Sequence, residues 1–185
     1  MAELLASVEA AVDRTIARVG KDIVLGAPLG LGKPVQLINA FYRRAQDDPA
    51  LSLRIYTALC LEVPRPSSEI EANLAGPIMQ RLFGDYEELD FMADQRAGKL
   101  PSNVSLSELY FKAGSMKDIA SAQQNYVSSN YTHIARDMLA AGVNVMVQMV
   151  AARGDGEDLS LSLSCNPDIT LEMMDLLPRM ERDFA

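Results

Sequence analysis

Apolar positions recur along the chain with two periods, and their alternation lays out a series of helices and strands. Leu5, Val8, Val12, Ile16 and Val19 fall three or four apart, which is the spacing of one helix face, and Gly20 follows as the residue that ends it. Ile23, Val24 and Leu25 are a short run with β-branched residues, as expected for a strand covered on both faces. Gly26, Gly30 and Gly32 then form a loop in which the backbone can turn sharply or press close to a ligand. Pro34 suits the first helical position, and Val35, Ile38, Phe41 and Tyr42 give the following helix its apolar stripe, with Lys33, Arg43 and Arg44 near its ends. A turn at Asp47, Asp48 and Pro49 leads into a second strand at Leu51 to Leu61. Such a strand-helix-strand unit implies parallel strands joined by a right-handed crossover.

Further along, Ser68 and Glu71 have the spacing of a capping box, Gly76 and Pro77 interrupt the helix that box begins, and Ile78 to Phe83 resume it. Asp85 to Leu100 predicts a helix with a solvated face, ended by Gly98 and Pro101. Val104 to Phe111 reads equally as strand or helix. Met116 to Val127 predicts a helix, and a polar and aromatic junction, SSNYTH at Ser128 to His133, precedes a helix marked by Ile134, Met138 and Leu139 and stopped by Gly142. Val143 to Val150 is the most strand-like run, apart from Asn144 and Gln148, which share one parity. A loop at Arg153 to Asp158 separates it from the alternating strand Leu159 to Cys165, and a Met- and Leu-rich helix begins at Leu171. The expected fold is one α/β domain over residues 1–185, with a mostly parallel sheet flanked by helices.

Composition narrows the function classes. With 17 Lys and Arg scattered among 25 Asp and Glu, and a net charge of −8, the chain lacks the clustered cations that phosphate-backbone binding needs. The start MAELLASVEAAV has no cationic region, and nowhere do about 18 uncharged apolar residues run together. The expectation is a cytoplasmic protein with no nucleic-acid or membrane partner. Cys60 and Cys165 lack CxxC spacing and read as buried thiols, and no metal site is expected.

A strand, glycine loop and helix in that order aim backbone N–H groups at what lies above the strand. GLGKP at Gly30 to Pro34 nevertheless fails as a P-loop, because five residues rather than four separate Gly26 from Gly32 and Pro34 stands where a metal-binding hydroxyl belongs. It fails as a Rossmann fingerprint as well, with Val35 at the third glycine position. His133 is the only histidine, which removes a catalytic triad or a multi-histidine metal site. It either caps and packs at the start of the 134–141 helix, or lines a ligand cleft with Asn130, Tyr131 and Thr132. The ten methionines, among them Met146, Met173 and Met180, read as core or interface packing.

Three stretches carry a family resemblance: VLGAPLGLGKPVQLINAFYRRA at Val24 to Ala45, QQNYVSSNYTHIARDML at Gln123 to Leu139, and VNVMVQMV with LSLSLS. In their order and spacing they resemble the first half of the acetyl-CoA hydrolase/transferase family, the CoA-transferases that use a glutamate nucleophile. The resemblance implies a CoA-transferase-type domain, acyl-CoA and a small carboxylate as substrates, coenzyme A as substrate rather than resident cofactor, and a homo-oligomer. It implies that the nucleophile comes from the second half of the same polypeptide, since no glutamate here is followed two residues later by glycine, so no catalytic residue is expected in this chain. The expected substrate-binding residues are Gly30, Gly32, Asn130, Tyr131 and His133. The loop RGDGED departs from the Pro-Pro-Asp-x-x-Gly of the family. Two other classes compete: a non-catalytic α/β binding or interaction domain, and a sugar-phosphate isomerase, for which no phosphate loop or general base is visible.

Overall fold

The computed structural model describes residues 3–163, 166–179 and 183–185. Helix α1 (Val8–Val19) is capped by the Ser7 hydroxyl, which accepts the Ala10 N–H, and is closed by Gly20 at φ 82°. Strand β1 (Asp22–Gly26) leads through a 3-10 turn at Gly30–Gly32 into α2 (Val35–Asp47) and β2 (Ser52–Thr57). Helices α3 (Glu69–Phe83) and α4 (Asp90–Ala97) connect to β3 (Val104–Glu108), and α5 (Ala120–Gln124) and α6 (Ile134–Ala141) connect to β4 (Val145–Met146). Strands β5 (Ala151–Arg153) and β6 (Ser160–Ser162) form an exposed antiparallel hairpin, and α7 (Thr170–Leu176) follows. The fold is α/β, as the apolar periodicity predicts.

The central sheet has the order β3-β2-β1-β4 with every pair parallel, Leu25 lying opposite both Ile55 and Val145. Alternation along β1 divides the core. Ile23 and Leu25 face Val12, Ile38, Phe41 and Phe91 on the side covered by α1, α2 and α4. Val24, with Tyr56, packs against Ile134, Met138 and Met173 on the side covered by α6 and α7. The chain steps from β1 to β2 to β3 on one side, then returns past β1 to place β4 on the other. The order therefore reverses between β1 and β4, and crevices for ligands form outside the carboxyl ends of strands at such a switch. Among the described residues, no helix is long and apolar enough to cross a membrane.

Several boundaries differ from the apolar pattern. Pro34, with ψ 83°, stands before the helix as its cap rather than at its first position. The second strand stops at Thr57 because Leu59 takes a left-handed φ of 42° and turns the chain away. Gly76 and Pro77 leave α3 unbroken, in a helix with no buried residue to force a bend. The Ser68 hydroxyl accepts the Glu71 N–H at 3.2 Å, while the Glu71 carboxylate reaches back to Ser67 rather than to the Ser68 N–H. The ambiguous stretch 104–111 is strand over its first five residues. Met116 to Val127 holds only the short α5, because Tyr126 is drawn into a parallel bridge with Glu108. Of Val143 to Val150, residues 144–147 run along β1 and only the end of the run, at Met149, reaches the glycine loop. Cys165, the end of the predicted strand it closes, and Met180 lie outside the described residues.

Candidate functional site

The glycine loop sits at the switch point, across the carboxyl end of β1. Gly30 needs its left-handed φ of 59°, and Gly32 is buried where an added Cβ would lie 2.9 Å from the Asn166 carbonyl oxygen. The loop is tied to later chain segments: the Met149 N–H donates to the Gly32 carbonyl at 2.9 Å, Asn166 Nδ2 to the Leu29 carbonyl at 2.6 Å, and the Leu29 N–H to the Asp168 carboxylate at 2.7 Å. Gln148, polar within an apolar run, donates to the Asn166 carbonyl at 2.9 Å and accepts the Thr170 hydroxyl at 2.7 Å. The close approach that Gly32 permits is thus to the protein's own chain.

The predicted site residues separate. Tyr131 joins the loop at a narrow recess with Leu29, Tyr56, Thr57 and Asp168, whose free volume of about 10 Å³ holds about one water. Burial, with the Asp168 carboxylate beside it, pushes the Tyr131 phenol up to about 12. Asn130 and His133 turn instead to a shallow polar recess with Ser129, Arg136 and Asp137. There the Asn130 carbonyl accepts the N–H groups of His133 and Ile134 at 2.9 Å, and exposed His133 is the residue preceding α6 with no side-chain capping bond. Gly30 and Gly32 line neither recess. Of the expected set, only Tyr131 meets the glycine loop's neighbourhood.

A larger groove, of about 720 Å³, opens on the α2 and α4 side, between the segment after β2 and the segment after β3. Of its polar residues the sequence singles out only Cys60, which reads as a buried thiol and is half-buried here. Glu108 ends β3 at 2% exposure, its two carboxylate oxygens closed to solvent and facing the thiol and backbone N–H of Cys60. Burial raises its carboxyl above the ordinary 4.5, and the neighbouring Cys60 and Lys33 only partly offset this. Lys33 is 3% exposed, its Nζ donating to the Ala58 carbonyl at 2.5 Å and the Leu59 carbonyl at 3.3 Å, and burial lowers its pKa. Cys60, a free thiol, is pushed well above 9.0 by burial and then by Glu108. Arg96 of α4 spans the groove, with Nε donating to Glu62 at 2.8 Å and Nη1 to the Ser115 carbonyl at 3.0 Å.

One signal in the sequence could have found Glu108. In VSLSE, Val104, Leu106 and Glu108 share a parity, so a strand that buries the first two must bury the carboxyl too. Resolving the strand-or-helix ambiguity there would have exposed the anomaly. Among the described residues, no three His, Cys, Asp or Glu side chains gather as metal ligands would.

No family model matches the chain, and no curated protein does. Among solved structures, a mutant of RipA is similar over 78% of this chain, at 14% identity and a TM-score of 0.42, a likeness too slight to carry an argument. This chain spans 28% of that one.

Proposed function

We propose that the chain is the N-terminal domain of a cytoplasmic CoA-transferase or acyl-CoA hydrolase, acting on acyl-CoA thioesters and small carboxylic acids. One observation carries the reading: the glycine loop shared with the resembling family lies at the switch point of a parallel sheet, where α/β folds place ligands. In the proposed reaction a glutamate of the second half attacks the thioester carbonyl, forming an acyl-glutamyl anhydride and releasing CoA thiolate. The thiolate then attacks the glutamyl carbonyl, giving a glutamyl-CoA thioester and the free carboxylate. A second acid, or water, resolves that thioester. Dividing the displacement lowers each barrier. The loop, with Tyr131 nearby, forms a wall of the cleft and contributes no nucleophile.

The test is exchange of labelled CoA between an acyl-CoA and free carboxylic acids by the polypeptide carrying both halves, with borohydride trapping of the glutamyl thioester. Absence of both across short-chain acids overturns the reading. A second reading, a non-catalytic interaction domain, is favoured by α3. Ile70, Leu74, Ile78 and Leu82 lie along one face of this helix and are 55 to 82% exposed. Retention of binding partners without any exchange activity would favour it.

A further inference from the structure

Helix α3 has no buried residue. Ala72, Gly76, Met79 and Phe83 are half-buried on one side of it, while Ile70, Leu74, Ile78 and Leu82 are exposed on the other. Steps of four residues advance only about 40° round a helix of 3.6 residues per turn, so these four side chains form one continuous ridge. A ridge of large aliphatic residues facing water is a contact surface without its partner.

The layout of the ridge identifies that partner. Counted from Gly76, Leu74 and Ile78 lie two residues to either side, Glu71 and Arg81 five, and Ile70 and Leu82 six. Half a turn about an axis near that midpoint therefore exchanges apolar with apolar and acid with base, which is the condition for a surface to pair with a second copy of itself. Glu71 and Arg81 also fall within the arc of the ridge, whereas Glu69 lies on the other side. Arg81 has no ion-pair partner among the described residues, and Glu71 accepts from Ser67 through Oε2 alone, at 2.7 Å. Antiparallel pairing sets Glu71 of each copy level with Arg81 of the other and opposes the two helix dipoles. Parallel pairing would set Glu71 beside Glu71 and Arg81 beside Arg81.

We propose that two copies of this chain pair through α3, antiparallel about a two-fold axis near Gly76, with the aliphatic ridges in contact and two reciprocal ion pairs between Glu71 and Arg81. The ridge is short, so the interface lies near the roughly 1,000 Å² at which specific ones begin, and the dimer dissociates on dilution. The pairing supplies a surface and an orientation that the family resemblance does not, and it holds whether or not the chain takes part in acyl-CoA chemistry.

The experiment is sedimentation equilibrium of the 185-residue chain over a dilution series, expected to show a monomer and a dimer in exchange. Arg81→Glu and Glu71→Arg should each weaken the dimer about ten-fold at low salt, and the chain carrying both should regain the parent affinity. Glu71→Arg also loses the bonds to Ser67, so recovery in the doubly exchanged chain separates ion pairing from helix capping. An equal mixture of Ile70→Cys and Leu82→Cys chains, mildly oxidised beside the parent as control, should cross-link as the mixed dimer in preference to either like pair, because like positions lie at opposite ends of the interface. A parent chain that is monomeric throughout, single exchanges that leave the affinity unchanged, a double exchange no tighter than the singles, or cross-links between like positions would overturn the proposal. None of these readouts involves CoA exchange.

Discussion

Asn144 stands in for a strand neighbour at the start of β1: its Oδ1 accepts the Val24 N–H at 2.9 Å and its Nδ2 donates to the Asp22 carbonyl at 3.0 Å. Its own N–H donates to the Val24 carbonyl at 3.0 Å. The side chain is buried, so removing it strands an N–H that water cannot reach. Asn144→Ala is expected to lower the unfolding free energy by about 2 kcal/mol, measured by urea denaturation. A loss near zero would mean that another group satisfies Val24.

The two loop glycines should differ in kind when replaced by alanine. At Gly30 nothing lies within 4 Å of the added Cβ, and the cost is that of the left-handed φ alone, about 1–2 kcal/mol. At Gly32 the Cβ meets the Asn166 carbonyl oxygen at 2.9 Å, Pro28 at 3.1 Å and Gln148 Nε2 at 3.2 Å, so the strap across the loop must shift. Gly32→Ala should cost about 1–3 kcal/mol and speed hydrogen exchange at Met149, whose N–H donates to Gly32. Unchanged exchange at Met149 would count against this packing.

Glu108 makes stability depend on pH in a definite direction. Its carboxyl is raised by burial, so between the ordinary 4.5 and the raised value the folded chain holds more protons than the unfolded one. Stability attributable to this group is full below 4.5 and falls as pH rises through that window. Glu108→Gln removes the titration, so its stability advantage over the parent should grow across the window and then level off. A constant difference from pH 4 to pH 8, read by denaturant unfolding, would show that the carboxyl does not titrate abnormally.

The apolar face of α3 should drive association. Ile70 is 82% and Leu74 78% exposed, far beyond scattered surface leucines. Sedimentation at rising concentration should show oligomers, and Ile70→Glu with Leu74→Glu should return the monomer. A parent protein that is monomeric throughout would contradict this.

The fold was legible where one face of an element is buried. The stripe of α2 and the β-branched run of β1 have large apolar residues at one period, and Ile38, Phe41 and Tyr42 are indeed buried. Helix ends marked by Gly20, Gly98 and Gly142 follow from left-handed or otherwise glycine-favouring angles that the sequence advertises. The extent of the strands was harder to see. Strand β4 pairs over only two residues: past Val147, whose N–H still donates to Gly26 at the end of β1, Met149 gives its N–H to Gly32 of the glycine loop, and apolar patterning carries no record of that change of partner. The site was legible only in part for a related reason. Glycines announce a turn, but Gly32 serves contact with Asn166, 134 residues on, and nothing local distinguishes that from contact with a ligand. Lys33 reads as a helix-end cation, yet Leu59 turns the chain so that two carbonyls enclose its ammonium.

Arg96 gives the groove a kinetic character as well as a shape. Glu62 on one wall orients the Arg96 guanidinium by a forked ion pair, and one further hydrogen bond from it, to the Ser115 carbonyl at 3.0 Å, ties the other wall. The width of the groove therefore depends on that one charged hydrogen bond. Arg96→Ala would release the Ser115 wall, and hydrogen exchange at the Ser115 N–H, which donates to the Lys112 carbonyl, should quicken.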